Sequence, residues 1–211
     1  MSQPAQISDS ETRALLAELT AVCQLEGDVV EFGCYAGDTS VLLADTIRHQ
    51  PDKWLWLYDS FAGLPAKGAA DWSPHGRDFR AGALRANPDT VRHKFRKHHL
   101  PEPVIKQAWF DELDPASDLP AKICFALLDG DLYASIRTSL ALVAPKVVEG
   151  GVIAVHDYRN PALPGSAKAV NEFLAQHPEF TLRIVSGLAL IDKKSASAKI
   201  SLTDAPDSTN S

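Results

Sequence analysis

The sequence has no apolar run approaching the roughly 20 residues that a membrane-crossing helix needs. Residues 1–10 carry neither a basic segment nor an apolar core, so no secretory signal is expected there. Cysteine is scarce. Cys23, Cys34 and Cys124 match neither a metal-ligand spacing nor a disulfide framework. Reduced thiols in a cytoplasmic protein are the expectation that follows. Positive charge is also short, with 21 Lys and Arg against 27 Asp and Glu and a net charge of -6. That balance excludes a nucleic-acid binder held by a general positive field, and neither nucleic acid nor a membrane is an expected partner. Apolar residues are not lacking: they make up 45% of the 211 residues, with 23% charged, which excludes a disordered or collagen-like chain. The length suits one domain. Residues 1–194 are read as that domain and 195–211, small and polar, as a mobile tail.

Long amphipathic stretches alternate with short solid apolar runs. Residues 9–25 read as a helix, with Leu15, Leu16, Leu19 and Val22 on one stripe and Ser8 or Asp9 as its cap. Strands are predicted at 28–32, 54–58, 104–108, 123–128 and 151–155, and further helices at 39–49, 88–99, 133–143 and 165–176. The stretch 60–87, rich in Gly and Pro, is expected to be a long loop with short helical pieces, a candidate lid in which His75 could approach a substrate. Residues 181–191 read as a hairpin turning at Ser186 and Gly187. Strands buried on both faces and separated by helices imply a mostly parallel sheet with helices on either side. The predicted fold class is therefore α/β: a doubly wound, seven-stranded sheet closed by an antiparallel hairpin at one edge.

In such sheets ligands bind beyond the carboxyl ends of the strands, where strand order reverses. The residues at those ends are Glu31 and Gly33, Asp59, Trp109, Asp129, and His156 with Asp157. A dinucleotide-binding loop needs a glycine where Tyr35 stands, and Glu31 would repel a diphosphate. A phosphate-free, cationic cofactor suits these residues better, and S-adenosylmethionine carries both an ammonium and a sulfonium. Asp59, 22 residues after Gly37, is spaced like an acid that hydrogen-bonds ribose hydroxyls.

Five segments then recur in order: 31–39 (EFGCYAGDT), 58–65 (YDSFAGLP), 108–111 (AWFD), 128–133 (LDGDLY) and 150–158 (GGVIAVHDY). They resemble the macrocin O-methyltransferase family, class I S-adenosylmethionine-dependent enzymes that methylate sugar hydroxyls on natural products. The glycine loop is also similar to that of the catechol O-methyltransferases. The resemblance implies Glu31, Gly33, Tyr35, Gly37 and Thr39 around the methionine moiety, Asp59 on the ribose, Ser60 beside the adenosine, and Trp109 and Phe110 near the adenine. It further implies a divalent cation, usually magnesium, held by Asp129 and Asp157, with Asp129 at the junction of cofactor and metal. A hard cation takes oxygen ligands and lowers the pKa of a bound hydroxyl.

The sequence departs from those relatives at two places. His156 stands where they commonly have Asp, and it is read either as a third metal ligand or as a catalytic general base. Adjacent strand residues point to opposite faces, so His156 and Asp157 can share an ion only if the strand has ended. The catalytic Lys of the catechol enzymes is absent, its position being Leu132. The resulting expectation is an O-methyltransferase acting on a hydroxylated small molecule. The alternatives are a hydroxylase or dehydrogenase on the same fold and a cofactor-binding protein without turnover. Assembly as a homo-oligomer is left open.

Overall fold

Solid apolar runs fold as strands here because helices cover both of their faces. The computed structural model describes residues 7–195. Its parallel strands are β1 (Asp28–Phe32), β2 (Leu55–Asp59), β3 (Val104–Gln107), β4 (Ile123–Leu128) and β5 (Val147–Val155). An antiparallel pair follows, β6 (Phe180–Val185) and β7 (Leu188–Lys193). The seven strands run in the order β3-β2-β1-β4-β5-β7-β6. Helices α1 (Asp9–Val22), α2 (Asp38–Ile47) and α3 (Pro88–Lys97) cover one face, and α4 (Tyr133–Val143) and α5 (Pro164–Gln176) the other.

The pleat sorts each strand between two cores. In β4, Phe125 and Leu127 pack with Leu15 and Leu19 of α1, Leu43 of α2 and Phe95 of α3. Their neighbours Ala126 and Leu128 pack with Ile136 and Leu140 of α4 and Val170 and Phe173 of α5. All six residues of β4 are buried, as a central parallel strand requires. Each fully buried Leu or Phe stabilises the fold by about 1.5–3 kcal/mol relative to exposure.

The doubly wound class predicted from the sequence is observed, with shifts at its boundaries. Helix α1 is capped by Ser8 and ends at Val22 rather than residue 25, because the chain must turn at Gly27 (φ +107°) to enter β1. Strand β5 begins at Val147 instead of 151; its early residues pair with Ile123 before an irregularity in the ladder. The hairpin adds its two antiparallel strands, completing the seven. Its second strand, β7, lies against β5, which leaves β6 at the edge. The turn at Ser186 and Gly187 has positive φ at both residues, 52° and 100°, the geometry that a tight two-residue hairpin demands. The three cysteines are buried and free. Among the described residues, no helix is long and apolar enough to cross a membrane. The predicted tail lies, from residue 196 onward, outside the described residues.

The long loop between β2 and α3 contains one short 3-10 turn, Ala69–Asp71, and is tied down by a buried acid. Asp71 is 1% exposed and accepts hydrogen bonds from the backbone N–H of Tyr133 (2.7 Å) and of Gly68 (3.1 Å). Tyr133 opens α4, whose own N-cap, Leu132, offers no side-chain acceptor. A carboxylate from the loop therefore satisfies an orphan amide at a helix N-terminus, where negative charge is favoured. Gly165 makes room for it: a Cβ there would lie 1.9 Å from Asp71 Oδ1. Asp71→Ala is expected to cost about 1–3 kcal/mol in chemical denaturation, because the Tyr133 N–H is left buried and unpaired. An unchanged midpoint would remove this tether.

Candidate functional site

Strand order reverses between β1 and β4, and there the rim of the sheet opens into a cavity of about 430 Å³. Its wall includes Gly33, Tyr35, Asp59, Ser60, Trp109, Phe110, Asp129 and Asp131. Gly33 brings the two loops together. Its φ is +91°, and a Cβ on it would lie 2.1 Å from the carbonyl oxygen of Asp129, so only glycine fits.

Asp59 ends β2 with both carboxylate oxygens already oriented: Tyr35 N–H donates to Oδ2 at 2.8 Å and Phe61 N–H to Oδ1 at 2.7 Å. Burial pushes its pKa up, and these two amides pull against that shift. The Cys34 N–H pulls the same way, and of the roughly four acceptor positions of a carboxylate one is left for a ligand hydroxyl. Trp109 and Phe110 stand on the wall beyond β3, and Phe110 also packs edge-on against Phe32, whose ring stacks on Tyr58. Phe110 thus serves core and cavity together.

Glu31, Gly37 and Thr39 lie outside the cavity wall. Glu31 is buried behind the loop, 1% exposed, and accepts a 2.5 Å hydrogen bond from Ser40 Oγ. Gly37 caps α2 in the left-handed conformation, and a Cβ on it would press against Val91; Thr39 sits in the first turn of that helix. His75 in the loop is exposed and away from the cavity.

The ends of β4 and β5 meet in a cluster of Asp129, His156 and Asp157, whose ligand-type atoms all lie within 4.8 Å of one another. The condition for His156 and Asp157 to converge is met: β5 ends at Val155, and Asp157 has φ 60°. His156 Nδ1 lies 2.9 Å from Asp129 Oδ1 and 3.1 Å from Asp157 Oδ2, and Nε2 lies 3.6 Å from Glu11 Oε1. Burial disfavours a charged ring, but the Asp129 and Asp157 carboxylates outweigh it and hold the His156 pKa up at about 12. Asp131, also at positive φ, is hydrogen-bonded to Asp157; burial first, then the Asp129 and Asp157 charges, push its carboxyl well above the usual range. A second opening of about 280 Å³, lined by Glu11, His156, Asp157, Arg159, Asn160 and Gly187, reaches the cluster from the other side.

Two residues of this neighbourhood carried no sign in the sequence. Glu11 belongs to the first helix and reads as part of a capping box, which it also forms. Asp71 reads as one polar residue among many in a loop. Neither position follows a strand, so only the packing of distant segments reveals them.

Burial costs Glu31 more than any group around it returns. Desolvation, opposed by the Ser40 hydrogen bond and reinforced by Asp129 and Asp59, raises its pKa from 4.5 to about 8. Between those values the native state keeps a proton that the unfolded chain releases, so stability falls as pH rises through the interval. Denaturation of the ligand-free protein across pH 4.5 to 8 is expected to show that slope, and Glu31→Gln to lessen it. Parallel pH profiles for the two proteins would exclude a neutral Glu31.

The macrocin-O-methyltransferase (TylF) family model matches residues 11–196. Demethyldecarbamoylnovobiocin O-methyltransferase of Streptomyces niveus is 29% identical over 157 residues, covering 71% of this chain and 59% of the relative. A 4'-O-methyltransferase of Streptomyces olivaceus, acting on 8-demethyl-8-(2,3-dimethoxy-alpha-L-rhamnosyl)-tetracenomycin-C, is 28% identical over 159 residues, 72% of this chain and 59% of its own. The chain thus spans about three fifths of the curated relatives it matches. Among solved structures, the O-methyltransferase NovP superposes with a TM-score of 0.72 at 25% identity, covering 87% of this chain and 78% of that one. The calicheamicin methyltransferase CalS11 gives 0.71 at 20% identity, over 86% and 76% of the two chains, which shows the shared fold. With the family model matched over residues 11–196, the chain belongs to the macrocin-O-methyltransferase family.

Proposed function

We propose that this protein is an S-adenosylmethionine-dependent O-methyltransferase, assisted by a divalent cation, that methylates a hydroxyl of a sugar or other small molecule. The observation that carries the proposal is the cavity at the switch point, which joins Gly33, Tyr35, Asp59 and the Trp109–Phe110 wall to the Asp129 end of the acidic cluster. Family membership supports the reaction class. The rhamnosyl substrate in the name of one relative supports a sugar acceptor.

The residues present fit both groups. Acids on and behind the wall favour a cationic ligand over a diphosphate, and Asp59 keeps acceptor capacity for a ribose hydroxyl. Trp109 and Phe110 offer apolar faces to an adenine. Asp129, His156 and Asp157 offer three converging donor atoms for the ion. When bound, S-adenosylmethionine supplies a methyl group on a sulfonium and the cation a positive charge beside the acceptor hydroxyl. The chain's own part is to hold and align the two substrates. An acceptor bound at the Asp129 end of the cavity, in contact with the cofactor, would have its oxygen, the methyl and the sulfonium brought into line. His156 has carboxylates at both ring nitrogens, which favours the ligand role over the base role. Asp131, on the wall, holds its own proton in the hydrogen bond to Asp157 and so steadies that ligand; the acceptor's proton, made acidic by the cation, would leave to water.

Calorimetry is expected to detect S-adenosylmethionine binding and none for NAD. Asp59→Ala is expected to weaken the former by about 2 kcal/mol, about 30-fold, as ribose hydroxyls lose a charged acceptor. Unchanged affinity in a folded variant would remove Asp59 from the cofactor site.

Methyl transfer to a panel of hydroxylated acceptors is expected to stop in EDTA and to return with added magnesium or manganese. Asp157→Ala is expected to abolish turnover while leaving cofactor affinity largely intact. Full activity in EDTA together with an active Asp157→Ala variant would falsify metal assistance.

A further inference from the structure

The donor set at the ends of β4 and β5 mixes one imidazole nitrogen with carboxylates, and its spacing is informative. Neighbouring ligands at right angles around an ion, each at about 2.1 Å, stand about 3.0 Å apart. The separations of His156 Nδ1 from Asp129 Oδ1 and Asp157 Oδ2, 2.9 and 3.1 Å, are both edges of that size. Hydrogen bonds of that length hold the ring between the two acids, and an ion replacing the shared proton would find the nitrogen at ligand spacing from each.

The other side of the ring supplies an independent observation. Nε2 faces Glu11 Oε1 at 3.6 Å, and the same carboxylate is anchored through Oε2, which accepts from Ser8 N (2.9 Å) and Ser8 Oγ (2.6 Å). The capping box of α1 thus presents a fixed carboxylate to the outer nitrogen of the ring. The hairpin turn closes over it at Gly187, where a Cβ would come within 3.3 Å of Oε1. At 3.6 Å the pair is an ion-pair contact and not yet a hydrogen bond; closing that gap as the ring meets an ion would keep the proton on the outer nitrogen and aim the inner lone pair at the ion, the usual support of a metal-ligating histidine.

We infer that Glu11 is the outer carboxylate that orients His156 as a metal ligand, and that the pair makes this centre select a first-row transition ion over magnesium. Imidazole suits such ions, whereas magnesium favours an all-oxygen set and surrenders water reluctantly. Glu11 acts through His156 and is a positioning residue, contributed by the first helix to a centre built at the ends of the fourth and fifth strands. The inference rests on the metal-assisted function proposed above and names which ion that function uses.

The test is the affinity of the full chain for Co2+ and for Mg2+, each alone, by calorimetry, with the visible bands of Co2+ as a second readout. The proteins are the wild type, Glu11→Gln, His156→Asp and the double variant; glutamine keeps the capping box. His156→Asp is expected to lower the preference for Co2+ over Mg2+ at least about tenfold and to change the Co2+ spectrum through loss of a nitrogen ligand. Glu11→Gln is expected to weaken Co2+ binding about 10- to 100-fold when His156 is present, and to have no further effect in the His156→Asp background. Equal losses in both backgrounds, or a preference unmoved by His156→Asp, would overturn the inference while leaving a metal-assisted enzyme. Failure of either ion to bind the wild type and His156→Asp would overturn the metal-assisted reading along with it.

Discussion

Hydrogen bonding between neighbouring strands does not stop where the strands end, and the site depends on that continuation. Gly33 N–H donates to Tyr58 O at 2.8 Å, Asp129 N–H to Phe32 O at 2.8 Å, and His156 N–H to Leu128 O at 3.0 Å. These bonds carry the sheet one residue past each apolar run, to the positions where the chemistry sits. Gly33 lets the first loop approach the Asp129 carbonyl at a distance that any side chain would forbid. The loop after β1 and the acidic cluster are thereby locked edge to edge.

Acidic groups concentrate on this rim, and burial holds several of them toward their neutral forms. Glu31, Asp59 and Asp131 all have carboxyls pushed upward, chiefly by burial, and His156 is the cationic group facing Asp129 and Asp157. Such an arrangement is costly unless cations arrive to share it. A sulfonium near the cavity, and the cation proposed for the cluster, would favour the ionised forms of these same acids. Backbone strain points to the same place. Tyr35, Phe61, Asp131 and Asp157 are non-glycine residues in the left-handed region, and all four lie in loops that follow strand ends.

The elements that finish the site come from far along the chain. Asp71 joins the long loop to the start of α4, and Glu11 reaches His156 from the first helix. Each does local work as well, Asp71 by satisfying an orphan helix amide and Glu11 by closing a capping box. That double use ties the assembly of the centre to the stability of the helices around it.

The sequence by itself determined the layered α/β class, because solid apolar runs such as Ile123–Leu128 can be stable only when both faces are covered. It also determined the rim: Asp59, Asp129, His156 and Asp157 were legible because each follows an apolar run whose end the fold directs to one side of the sheet. The hairpin turn was equally legible, since Ser186 and Gly187 between apolar runs admit few backbone solutions. Tertiary structure alone decided the rest. The placement of β7 between β5 and β6 depends on pairing across distant strands, and the withdrawal of Glu31, Gly37 and Thr39 from the cavity wall depends on how α2 packs. The pairing of Glu11 with His156 and of Asp71 with Tyr133 joins residues with no periodic or spacing relation. Local patterns record what a residue requires of its neighbours in sequence; they carry no record of which distant group will meet it.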